Sequence, residues 1–172
     1  GLGIRGRWWR YNETSSNPGA SEIDRLKMET IDIEATQAFV LGKINGLVSG
    51  GLRLASYNEN NNTVIPSAFG LVAGLELQRN LIGGLSAFGE SRFALMYDNK
   101  WRDGGILERN IAFTISEAKL GFRYDYPVWN DRVNLFGKAS GAVQYWTGVS
   151  DDDSESVGLF GAAFELGVNV KL

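Results

Sequence analysis

The run Ala118 to Tyr126, reading Ala-Lys-Leu-Gly-Phe-Arg-Tyr-Asp-Tyr, separates its side chains without a break. Ala118, Leu120, Phe122, Tyr124 and Tyr126 fall on one side and Lys119, Gly121, Arg123 and Asp125 on the other. A period of two belongs to an extended strand, whose successive side chains leave opposite faces of a sheet. The run is therefore a strand with one oily and one charged face. A soluble sheet buries the oily face, whereas a transmembrane barrel turns it outward to lipid and keeps the polar face inside.

The same alternation recurs along the chain. Strand one, Leu2 to Tyr11, sets Leu2, Ile4 and Trp8 against Arg5, Arg7 and Trp9, and strand two, Leu26 to Leu41, sets Ile31, Ile33, Ala35, Phe39 and Leu41 against Asp32, Glu34 and Thr36. Strand three, Leu47 to Tyr57, carries Arg53 on its polar side; strand four, from Phe69, carries Glu76; strand five, from Leu85, carries Glu90 and Arg92. Strand six, Glu108 to Tyr126, contains the opening run. Its first half places Ile111, Phe113 and Ile115 on the parity that is charged later, which predicts a bulge or register change near Ile115. Strand seven, from Val133, carries Lys138, and strand eight, from Phe160 to Leu172, carries Glu165 and Lys171.

The connections alternate in length. Polar stretches at Asn12 to Arg25, Asn58 to Thr63, Asp98 to Gly105 and Gly148 to Ser156 read as long loops, whereas Gly42 to Gly46, Asn80 to Gly84 and Pro127 to Asp131 read as short turns. The segment from Ala87 to Tyr97 also parallels Leu135 to Tyr145 in character, as two strands of equal direction and depth would. The expected fold is all-β: one domain, residues 1–172, forming an eight-stranded antiparallel up-and-down transmembrane β-barrel with both termini on the short-turn side.

Composition removes most alternatives. The 172 residues contain no histidine and no cysteine, which excludes disulfides, thiolate metal sites, imidazole proton shuttles and histidine-assisted nucleophiles. A net charge of −3 is too small to suggest a polyanionic partner, and no nucleic-acid partner is expected. No enzyme activity, cofactor or metal is expected. No segment has the apolar length of a membrane helix, and the chain opens on Gly1-Leu2-Gly3 without the apolar core of a signal peptide, as a mature or trimmed chain would.

Three features favour the lipid-facing setting over a soluble up-and-down barrel that binds an apolar small ligand. The strands reach or exceed the 9 to 11 residues that cross a bilayer. The oily faces end in aromatics, with Trp8, Tyr97 and Tyr145 toward the long loops and Phe39, Tyr124, Tyr126 and Trp129 toward the short turns, as in two interfacial girdles. The polar faces nearly balance, with Asp32, Glu34, Glu76, Glu90, Glu117, Asp125 and Glu165 against Arg5, Arg7, Arg53, Arg92, Lys119, Arg123, Lys138 and Lys171. A narrow interior requires such pairing, because an unpaired buried charge is strongly unfavourable.

The runs Ile31-Asp32-Ile33-Glu34-Ala35, Ser49 to Ala55, Phe69-Gly70 with Gly74-Leu75-Glu76, Leu120 to Tyr124 and Val143-Gln144-Tyr145-Trp146 together resemble the Legionella-type major outer membrane protein family. That resemblance implies a pore-forming barrel in the cell outer membrane, in contact with its lipid. This chain ends on Leu172, where such barrels commonly end on an aromatic.

Two roles are open to the interior charges. Glu90 or Glu76 with Arg92, Arg53 or Arg123 could gate a thin water path. Alternatively the whole set is the filling that an eight-stranded barrel requires, its interior being just wide enough for side chains, and this reading is favoured. A wide diffusive pore would need more strands or a shared lumen. Among the loops, Asp151-Asp152-Asp153-Ser154-Glu155 lacks the spacing and glycine of a calcium loop, and Lys100-Trp101-Arg102 could meet headgroups or a surface ligand. Oligomeric state is not legible.

Overall fold

A computed structural model describes residues 1–16, 23–59, 62–98, 102–103, 106–107, 111–128, 133–149 and 156–170. Eight long strands run up and down: β1 (Leu2–Ser16), β2 (Ile23–Leu41), β3 (Ile44–Glu59), β4 (Asn62–Ile82), β5 (Leu85–Asp98), β8 (Ile111–Val128), β9 (Val133–Thr147) and β10 (Ser156–Val170). Between β5 and β8, the two-residue strands β6 (Arg102–Asp103) and β7 (Ile106–Leu107) pair with each other. Each long strand pairs antiparallel with its neighbour in the chain, giving one sheet in the order β1-β2-β3-β4-β5-β8-β9-β10. Among the described residues no pairing joins β1 to β10, so this curled, barrel-like sheet keeps two free edges.

The short turns lie where the glycines allow them. Gly42 and Gly83, each the first residue of a two-residue turn, hold φ of 61° and 55°, a left-handed conformation that side chains with a Cβ disfavour. The N-terminus sits at this end, where the Ala38 amide donates to the Gly1 carbonyl at 3.0 Å. Curl is helped by inward-facing glycines that let adjacent strands approach. A Cβ at Gly51 would lie 2.0 Å from the Ile33 carbonyl oxygen, and one at Gly121 would lie 2.1 Å from that of Ala139. Elsewhere an aromatic ring lies across its glycine partner, Phe39 over Gly46 and Phe136 over Gly167, covering backbone that would otherwise be bare.

Several expected boundaries move. Asn12–Ser16 and 23–25 belong to β1 and β2, and Asn58, Glu59, Asn62 and Thr63 belong to the β3–β4 ladder. Polar composition suggested loops there, but ladder hydrogen bonds use the backbone and tolerate polar side chains. The expected bulge near Ile115 is absent: β8 pairs continuously with β5 from Ile111 to Tyr124 and with β9 from Thr114 to Val128. Register shifts lie instead between β3 and β4 at Ala55 to Asn58 and between β4 and β5 at Asn80 to Ile82.

Burial runs opposite to that of a soluble domain. Ile33, Leu52, Leu71, Leu95, Leu120, Phe122 and Leu166 are exposed, whereas Asp32, Glu34, Arg53, Glu76, Glu90, Arg92 and Lys138 are buried. The oily face of every long strand points out.

Candidate functional site

The interior is built in storeys. At the centre lies a charged belt, every member of which stands on the inward parity of its strand. Arg53 of β3 donates to Asp32 of β2 through two nitrogens at 2.7 and 3.0 Å and to Glu117 of β8 at 2.6 Å. Arg92 of β5 reaches Asp32 at 2.7 Å, Glu117 at 3.2 Å and Glu34. Gln144 of β9 adds a donor to Glu117 at 3.0 Å. Two guanidiniums thus hold three carboxylates through charge-assisted, partly bidentate bonds, the strongest class of protein hydrogen bond.

A second group sits beside it. Glu76 and Glu90 are direct cross-strand partners, an arrangement that like charges disfavour unless cations intervene. Three cations come from three strands away or more: Lys138 reaches Glu76 at 3.0 Å, Arg5 lies 3.5 Å from Glu76, and Arg7 lies 2.6 Å from Glu90 and 4.0 Å from Glu76. Arg92 is 3.8 Å from Glu90. Lys119 pairs with Glu165. Nearest the short turns, Arg123 donates to Asp125 at 2.8 and 2.7 Å, Asn134 donates to the same carboxylate, and Gln78, Ser86 and Asn80 form a short chain. Phe136 lies 4.0 Å beneath the Arg123 guanidinium, and Lys138 stands 4.7 Å over Phe88, so the two segments that look alike in sequence contribute equivalent rings.

Above the belt, toward the long loops, the same inward parity turns apolar. Met28, Ala55, Tyr57, Ile65, Ala68, Val72, Ala94, Met96, Phe113, Ile115, Trp146 and Val149 form a single buried cluster. Trp146 stacks on Phe113 at 5.8 Å and 14° and meets Tyr57 at 6.2 Å. This apolar cap explains why Phe113 and Ile115 share a parity with Glu117 without a bulge.

No protein-family model, curated protein or solved structure matches this chain. Its site is therefore read from its own geometry.

Of the fifteen charged residues expected inside, the fourteen that lie among the described residues are brought together there: Arg5, Arg7, Asp32, Glu34, Arg53, Glu76, Glu90, Arg92, Glu117, Lys119, Arg123, Asp125, Lys138 and Glu165 each join at least one ion pair. The expected partners hold only in part: Arg92 does lie 3.8 Å from Glu90, but the partners of Glu76 change. Glu76 is held by Lys138, Arg5 and Arg7 rather than by Arg92, Arg53 or Arg123, because strand order and depth decide which side chains meet across the interior. Of the aromatic set, Trp8, Phe39, Tyr97, Tyr124, Tyr126 and Tyr145 are exposed on the outer face. Tyr97 packs edge-on to Phe69 at 5.8 Å, and the Trp8 indole donates to Glu29 at 2.8 Å. Trp129, Lys171, Leu172, the acidic run 151–155, and residues 100–101 lie outside the described residues. The apolar cap went unforeseen, although Met28, Tyr57, Met96 and Trp146 on charged parities were its signal.

A cavity of about 1210 Å³ runs from the short-turn end past Gln78, Phe136, Lys138 and Glu76 to the belt, continues beside it to Trp9, Tyr11 and Leu159 at the margin of the cap, and reaches both free edges, β1 at Arg5 and Arg7 and β10 at Glu165. Its cations and carboxylates pair largely with one another.

Proposed function

We propose that this chain is an integral outer-membrane β-barrel with a structural or surface-interaction role, without enzymatic activity, and with at most a narrow conductance through a charge-filled lumen. The observation that carries this reading is the inverted burial, with aliphatic and aromatic side chains outside and paired charges inside along all eight strands. Water is a poor neighbour for so much contiguous apolar surface, whereas lipid is a good one. Its partner in this reading is outer-membrane lipid, and any surface ligand would meet the long loops. The resemblance to the Legionella-type family agrees with the location and rests on its short motifs alone.

The belt and cap argue for filling over gating. Arg53 and Arg92 each hold two or more carboxylates, and the apolar cluster above them occupies the interior at the long-loop end. The soluble ligand-binding alternative needs an apolar cavity, but the lining of the described cavity includes the charged Arg5, Arg7, Glu76, Lys119 and Lys138.

Cell fractionation tests the location: the chain should sediment with membranes, resist extraction by carbonate and come out only with detergent. Recovery as a soluble monomer without detergent would refute it. Planar-bilayer recording tests the filling reading, with conductance expected to be absent or small and unchanged by Arg92→Ala or Glu90→Ala. A change in either variant would favour a gate.

A further inference from the structure

Among the described residues, the two edge strands carry the most exposed large apolar side chains. Leu2 and Ile4 on β1 are 87% and 88% exposed, and Phe164 and Leu166 on β10 are 82% and 92% exposed, against 52% and 57% for Phe93 and Leu95 on the central strand β5. Within a bilayer, free edges cannot persist, because lipid offers no partner to the unpaired amides and carbonyls. This argument rests on the membrane reading above; what it adds is the partner of each edge and the register.

Curvature identifies the partner. Arg7 on β1 reaches Glu90 on β5, four strands away, at 2.6 Å, and Tyr57 on β3 meets Trp146 on β9, also four strands away, at 6.2 Å between rings. Strands four apart are diametrically opposed, about 17 Å apart, in a ring of eight, but would stand roughly 23 Å apart in a ring of sixteen built from two copies. The side chains span the first distance and not the second. β1 and β10 of one chain also run antiparallel, as direct pairing in an up-and-down barrel requires.

Register follows from the ladders. Starting at Arg5, the pairing partners run through Glu34, Gly51, Val72, Ala94, Ile115 and Trp146 to Val157. Full overlap of β1 (Leu2–Ser16) with β10 (Ser156–Val170) would set Val157 opposite Ser15, ten residues along β1 from Arg5. An offset of ten in an eight-stranded ring corresponds to a tilt of about 41°, within the roughly 35–45° of membrane barrels; an offset of eight gives about 35° and one of twelve about 47°. Odd offsets would place inward residues opposite outward ones.

We propose that β1 and β10 close on each other in this register, with Arg7 directly opposite Glu165. Arg7 then bridges Glu90 and Glu165, and Glu165 gains a second cation beside Lys119. Closure seals the side entrance of the cavity and leaves its mouth at the short turns.

The chain contains no cysteine, so two engineered pairs read the register in lipid vesicles under mild oxidation. Ile4→Cys with Val168→Cys are direct partners at an offset of ten, and Ile4→Cys with Leu166→Cys are direct partners at an offset of eight; a two-residue mismatch exceeds disulfide reach. The first pair should form an intramolecular disulfide in most chains and the second in few. The reverse yields would overturn the register, and disulfide-linked dimers, or no cross-link in chains that sediment with membranes, would overturn closure itself. Failure to sediment would instead sink the membrane reading. If the cysteine variants do not insert, Arg7→Gln and Glu165→Gln supply a second readout: the double variant should melt no lower than the worse single variant, and additive losses would refute the pair.

Discussion

The charged belt and the apolar cap occupy the same inward face of the same strands, yet they hold the interior by opposite means. On β8, Glu117 and Lys119 enter ion pairs while Phe113 and Ile115, four and two residues above Glu117, are buried among aromatics and aliphatics. On β9, Lys138 and Gln144 make polar contacts while Trp146 stacks on Phe113. Strand parity decides whether a side chain faces in or out; depth decides whether the inside is wet or oily. In the belt, order comes from directional hydrogen bonds both between adjacent strands and between strands three apart in the sheet. In the cap, it comes from close packing with no preferred partner.

Removing the belt's hub should have the largest effect. Arg53→Ala leaves Asp32 and Glu117 with less compensation in a buried setting, and breaking such a cluster costs about 3–5 kcal/mol. Unfolding in detergent should show this as a large fall in denaturant midpoint. A replacement of all three by apolar residues of similar volume should recover much of the loss, because no charge is then stranded. If Arg53→Ala alone is neutral, the belt is solvated and the distinction fails.

The cap should answer differently. Trp146→Ala leaves a cavity in a packed cluster, at a cost of about 3 kcal/mol or more, and Trp146→Phe should recover part of it by keeping the stack on Phe113. Denaturant midpoints in the same detergent compare the two regions directly. Equal losses for Phe and Ala would mean that the cap is not close-packed.

On the outer face, Leu120→Lys puts a charge at the middle of β8 where lipid is expected, costing about 2–4 kcal/mol near the bilayer midplane and much less near its surface. The same change should be nearly silent in a water-exposed sheet. Folding yield into vesicles, compared with that of Leu120→Phe, checks it. The smallest effect is expected at the mouth: Phe136→Leu removes the ring beneath Arg123 and uncovers Gly167, a loss of about 0.5–1 kcal/mol, visible as a slight decrease in melting temperature. A loss as large as that of Trp146→Ala would place the mouth with the cap rather than apart from it.

Much of this was legible in the residues themselves. The alternation at Ala118 to Tyr126 assigned Lys119 and Arg123 to one face and Leu120, Phe122 and Tyr124 to the other, and the structure keeps that division, with the charges inside. The turns at Gly42 and Gly83 were marked by residues that tolerate positive φ. The cap was not legible, because a period-two reading weighs each strand alone. Phe113 and Ile115 then look like a register error, and only the convergence of Met28, Tyr57, Met96 and Trp146 from four other strands reveals a common core. The pairing of Glu76 with Lys138 was hidden for a similar reason, since contacts across a curled sheet depend on strand order and stagger, which local spacing does not encode. The loop boundaries were drawn by polarity, while Asn12, Thr14 and Asn58 are held by ladders indifferent to it.

The central claim is that the oily face meets lipid and the charged face does not. Single cysteines at Ala139 and Val143 on the outer face of β9, and at Ser140 and Ala142 on its inner face, can carry spin labels in a protein reconstituted into vesicles. Labels at 139 and 143 should be relaxed strongly by oxygen dissolved in the acyl chains and weakly by a water-soluble nickel chelate, with the pattern changing at 140 and 142. Strong relaxation of 139 and 143 by the chelate would place the oily face in water and contradict the account.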